Sequence, residues 1–155
     1  MDAYFILKLA HIVSATLLFG TGLGSAFFMW MAHRSGNVQA IAVTAGHVVL
    51  ADWFFTTPAV IAQPVTGFLL QQRVGYPLDL PWLAGALVLY LLAGACWIPV
   101  VWIQIRVRDL ARAAAASGAP LPPDYHVQMR RWFVLGWPAF AAVLGVFALM
   151  VFKPA

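Results

Sequence analysis

Glutamate is absent from this chain, and its five acids are Asp2, Asp52, Asp79, Asp109 and Asp124. Charged residues of both signs make up only 9% of the sequence, against about a quarter in ordinary soluble domains. That scarcity argues against a water-soluble fold and points to a chain dissolved in lipid. Cys96 is the single cysteine, so no internal disulfide can form. No CxxCH occurs, which excludes covalent c-type haem attachment. A phosphate-binding loop, an HExxH pair and a nucleophile-plus-base spacing are missing too. The motifs therefore leave open whether the protein is an enzyme.

The residues present are apolar. Hydrophobic side chains account for 63% of the chain and mean hydropathy is +0.87. Four apolar segments, approximately 4–32, 41–71, 82–106 and 131–152, exceed the length of about 20 residues that spans a bilayer as helix. Segments of about ten alternating residues, which a membrane β-barrel requires, do not occur. Short linkers make sequential helices antiparallel. The expected fold is thus all-α, an integral-membrane four-helix bundle of up-down-up-down topology in a single transmembrane domain, 1–155. Residues 107–130 form the longest linker, in which an alanine run continues the third helix and Pro120, Pro122 and Pro123 impose an extended piece.

The formal net charge of +4 comes from cations gathered between the apolar runs, a pattern of membrane topology and not of nucleic-acid binding. Arg34, Arg106, Arg108, Arg112, Arg130 and Arg131 lie on one side, and Lys8, Arg73 and Lys153 on the other. Six against three predicts that the first and third linkers are cytoplasmic and both termini lie outside, in the inner (plasma) membrane of a bacterium. The first apolar run is too long for the core of a cleavable signal peptide, so none is expected. Trp30, Trp82 and Trp132, near segment ends, fit an interfacial aromatic belt.

Polar groups within apolar helices are costly and mark candidate sites. On the first segment His11, Ser14, Leu18, Gly22, Ser25, Met29 and His33 fall within roughly 60° of His11 on a helical projection. Gly20 and Gly24 lie opposite and form a small-xxx-small surface for close helix packing. On the second segment Asp52, Thr56, Gln63 and Thr66 share a stripe, while His47 points elsewhere. At 1.5 Å per residue, His11 sits about 10 Å outside the midplane, Gln63 at nearly that depth, His47 roughly 13 Å inside and Asp52 about 6 Å from the centre. His11 and His47, over ~20 Å apart, cannot be two axial ligands of one haem. Asp52 is a candidate proton relay or interhelix hydrogen-bond partner, and His47 is a weaker candidate metal ligand than His11. Pro58 and Pro64 free the carbonyls of Phe54 and Val60, which Thr56, Thr57 or waters are expected to satisfy.

The segments LKLAHIVSATLLFGTGLGSAFFMW, LADWFFTTPAVIAQPVTG, GACWIPVVWIQIRVRDLA and LGWPAF resemble a bacterial family of small predicted integral membrane proteins without an established function. That resemblance covers nearly the whole chain and implies four spans. A second resemblance concerns the first segment only. Lys8-x-x-His11-Ile12, an apolar run and His33 are similar to the first span of HemJ-type protoporphyrinogen oxidases and to CopD-like membrane domains. It implies His11 as an axial ligand of b-type haem and Lys8 as a propionate partner. Ala26, Phe27 and Phe28 stand where the HemJ type has a proline-arginine pair.

Two function classes follow. One is a b-type haem redox protein with His11 on iron, Lys8 at a propionate, Ser14 and Gln63 beside them, and Asp52 handling protons. The other is a non-catalytic accessory or scaffold protein that packs through Gly20 and Gly24 against itself or a larger membrane complex. Metal-ion handling is a third reading, for which Met29 and His33 form only a sparse ligand set. The expected partners are the lipid bilayer and a second copy or a larger complex.

Overall fold

A computed structural model describes residues 2–154. Helix α1 (Ala3–Ser35) begins at Asp2, whose carboxylate accepts from the Tyr4 amide at 3.2 Å, and ends at Gly36. Gly36 takes φ +66°, a left-handed conformation that only glycine adopts cheaply, and it turns the chain directly into the next helix. The second membrane-spanning element has three parts: α2 (Val38–Ala51), a π-helical segment (Asp52–Thr56) and α3 (Thr57–Val74). Helix α4 (Pro81–Ser117) and helix α5 (Pro123–Phe152) start with proline at the first helical position, where the missing amide costs nothing. Four helical elements are long and apolar enough to cross a membrane.

The prolines of the second span act differently from each other. Pro58 donates no amide to the preceding turn, and the helix there opens into the π segment, where the Thr57 amide reaches back to the Asp52 carbonyl. Pro64 leaves the Val60 carbonyl without its helical donor. The Tyr90 hydroxyl, from α4, donates to that carbonyl at 2.5 Å. Neither Thr56 nor Thr57 is needed there, because a neighbouring helix supplies the donor. Replacing Tyr90 with phenylalanine orphans a carbonyl inside the protein and is expected to cost about 1–3 kcal/mol, read as a fall in the thermal midpoint of the detergent-solubilised protein. An unchanged midpoint would refute that role.

Helix α5 packs on α4, α4 on α2, and α1 on both halves of the second span. Side chains carry the contact between α1 and α5, where Phe19 stacks on Phe140 with ring centroids 5.0 Å apart. The tightest packing lies toward one end, around Met29, Ile41, Val107, Ala111, Tyr125 and Met129. The charges on α4 and α5 explain the position of that core. On α4 every charge follows Gln104, and on α5 every charge precedes Trp132. Helix α4, with 37 residues, is about 55 Å long, about 25 Å more than a hydrocarbon layer of about 30 Å, and its charges place that excess toward this basic end. There, Ala111 and Ala114 let α2 and α4 lie close together, with Ile41, Ala42 and Ala45 between them. Lys8, Arg73 and Lys153 mark the far end.

Candidate functional site

Two polar clusters tie the helices together. In the first, His11 of α1 lies against α3. The Thr66 hydroxyl donates to the Ala62 carbonyl at 2.7 Å, so its oxygen is free to accept from His11 Nδ1 at 2.9 Å. The Gln63 amide nitrogen donates to His11 Nε2 at 3.1 Å. These partners assign the tautomer carrying its hydrogen on Nδ1. Ser14 lies one turn along α1, its hydroxyl bonded to the Gln63 carbonyl oxygen and 3.0 Å from the His11 carbonyl. Gly67 makes the approach feasible: a Cβ there would stand 3.1 Å from His11 Cε1. The stripes read from the sequence therefore do meet, and both ring nitrogens of His11 are engaged by protein groups.

The second cluster centres on Asp52, 5% exposed, at the start of the π segment. Its Oδ1 accepts from the Thr56 hydroxyl at 2.8 Å. Gln104 of α4, with its amide oriented to suit both neighbours, donates to Asp52 Oδ2 at 2.5 Å and accepts from the Trp132 indole of α5 at 3.3 Å. Three membrane-crossing elements thus converge on one carboxylate. A cavity of about 10 Å³ adjoins it, between Met29, Val48, Gln104, Met129 and Trp132. Gln104 stands two residues before Arg106, so this cluster lies toward the basic end of α4, where α2 runs beside it.

Other residues singled out in the sequence lie apart from both clusters. Lys8 is exposed, its ammonium 5.7 Å from the centroid of the Tyr4 ring and not turned toward His11. His47 is exposed on α2. Among the described residues no atom lies within 4 Å of where a Cβ of Gly20 or Gly24 would project, so these two glycines are not sites of close helix packing within the chain. Within the chain, close approach occurs instead at Gly67, at Gly46 beneath the Arg112 guanidinium, at Gly85 and at Gly145. Gln104 and Tyr90 carry no signal in the sequence, and Trp132, expected in an interfacial belt, is buried against Gln104, because a polar residue on an otherwise apolar helix does not announce its partner. His33 likewise has a partner on another helix, its Nδ1 lying 2.9 Å from the hydroxyl of fully buried Tyr125.

Among the described residues no group of three His, Cys, Asp or Glu side chains is placed to hold a metal ion. No buried side-chain polar atom among them lacks a hydrogen-bond partner. Residues 5–154, nearly the whole chain, match the model of a family described as predicted integral membrane protein (DUF2269). No curated protein and no solved structure matches. The first-segment similarity to HemJ-type and CopD-like proteins thus gains no support from these comparisons.

Proposed function

Because the chain belongs to this family of predicted integral membrane proteins, we propose that it is a non-catalytic accessory or scaffold component of the membrane, working through helix packing. One observation carries this reading: the intramembrane polar groups are spent on one another across helices. His11 of α1 bonds Gln63 and Thr66 of α3, and Asp52 of the second span bonds Gln104 of α4. Interhelix hydrogen bonds of this kind each contribute about 0.6–2 kcal/mol to association within a bilayer. For His11 to ligate a b-type haem, its Nε2 would have to give up the Gln63 amide, leaving a half-buried donor without that partner. The unpartnered face at Gly20 and Gly24 supplies the surface for a second copy or a larger complex. The six cations at the basic end support its placement in the cytoplasm of a bacterial inner membrane, with both termini outside.

The test uses wild type, Gly24→Leu and His11→Ala, purified in detergent, with mass measured by light scattering and an optical spectrum taken before and after dithionite. The expected result is an oligomeric wild type without a Soret band. Gly24→Leu, which pushes helices apart at a small-xxx-small contact, becomes monomeric, and His11→Ala does not. A Soret band in wild type that His11→Ala removes would replace this reading with the haem one. A monomeric wild type would also overturn it.

A further inference from the structure

A groove of about 510 Å³ opens sideways at the far end of the molecule, between the start of α1 and the end of α3. Its volume lies within the range of small-molecule sites, about 300–1,000 Å³. The walls are Ala3, Ile6 and Leu7 from α1 and Leu69 from α3, and Gln72 and Arg73 complete the lining. One turn below Leu7, the contact of His11 with Thr66 joins the same two helices. Arg73 belongs to the last turn of α3, at the end of an element long and apolar enough to cross a membrane.

The three cations of this end are not equivalent. Lys8 rests over Tyr4, and Lys153 lies 5.3 and 5.4 Å from the ring centroids of Tyr76 and Trp82. Arg73 has neither an aromatic face nor a carboxylate: among the described residues, ion pairs join only Arg106 to Asp124 and Arg108 to Asp109. A guanidinium without a partner, beside a primary amide and above apolar walls, matches a ligand with an anionic oxygen cluster at one end and hydrocarbon at the other. Arginine binds phosphate oxygens in a bidentate fork. We infer that this groove is a binding site for an anionic phospholipid, with the phosphate at Arg73 and Gln72 and the upper acyl chain between Leu7 and Leu69. This goes beyond the packing role and does not depend on it.

The experiment is native mass spectrometry of the full chain, delipidated in detergent and titrated with phosphatidylglycerol or phosphatidylcholine. Wild type is expected to retain phosphatidylglycerol about fivefold better than phosphatidylcholine, the gain from one arginine near a lipid surface. Arg73→Gln should abolish that preference, and Leu69→Trp, which fills the groove while sparing the charge, should weaken retention of both lipids. Arg130→Gln, at the opposite end, should leave both unchanged. Excess inorganic phosphate should fail to displace the lipid, because the walls hold its chain. Equal retention of the two lipids, an unaltered preference in Arg73→Gln, the same loss in Arg130→Gln, or displacement by phosphate would each overturn the assignment.

Discussion

Replacing Tyr125 with alanine is expected to destabilise the protein by about 3–5 kcal/mol, the usual cost of deleting a buried aromatic ring. Tyr125 is 0% exposed and sits in the core at the basic end, with Met129 on its own helix. Its hydroxyl faces His33 Nδ1 at 2.9 Å, so one side chain fastens the start of α5 to the end of α1. A phenol keeps its hydrogen at neutral pH and can donate it to His33. Phenylalanine at this position preserves the ring and loses only the hydroxyl. Since His33 is half-buried and can turn to water, that change should cost about 1 kcal/mol. For a chain of this length the alanine variant should melt roughly 10 °C below wild type and the phenylalanine variant about 3 °C below. Equal losses in the two would mean that the hydrogen bond, and not the packing, dominates.

Asp52→Ala is expected to be nearly as damaging, at about 2–3 kcal/mol. The Thr56 hydroxyl has a ready alternative in a carbonyl of its own helix, so its loss is small. The Gln104 amide has none: it is buried and its other end is held by Trp132. The cost is therefore mainly that of an unsatisfied donor where three membrane-crossing elements meet. Asparagine keeps one acceptor oxygen for Gln104, so Asp52→Asn should lose less than half as much. Melting followed by tryptophan fluorescence reads both effects, because Trp132 belongs to the cluster. An Asp52→Ala protein that melts within about 2 °C of wild type would remove the carboxylate from the account of stability.

The two variants probe opposite ends of what the sequence discloses. His11, Ser14, Gln63 and Thr66 were legible, because a 3.6-residue period sorts side chains onto faces and helix rise assigns their depth. Two polar stripes at matching depth on sequential antiparallel helices have little choice but to face each other. Gln104 and Trp132 were not legible, since on α4 and α5 they are single polar groups without a stripe. Tyr90 was not either: Pro64 identifies which carbonyl is orphaned, but the donor comes from thirty residues away. The glycines divide in the same way. Gly20 and Gly24 carry the familiar spacing, yet a Cβ at either would meet no described atom within 4 Å, whereas Gly67 has no such spacing and receives His11.

By itself, the sequence determined that this is an all-helical membrane protein with four apolar crossings and one face of polar residues on each of the first two. Those conclusions depend on composition, length and period, which are local and additive along a chain. Only the tertiary structure decided which polar groups spend their hydrogen-bonding capacity on each other, that Asp52 meets Gln104 and Thr56, and that Gly20 and Gly24 receive no close contact. The reason is geometric: a hydrogen bond between helices needs two atoms within about 3 Å. Helix rotation and the overshoot of α4 set that separation, and no single segment encodes either.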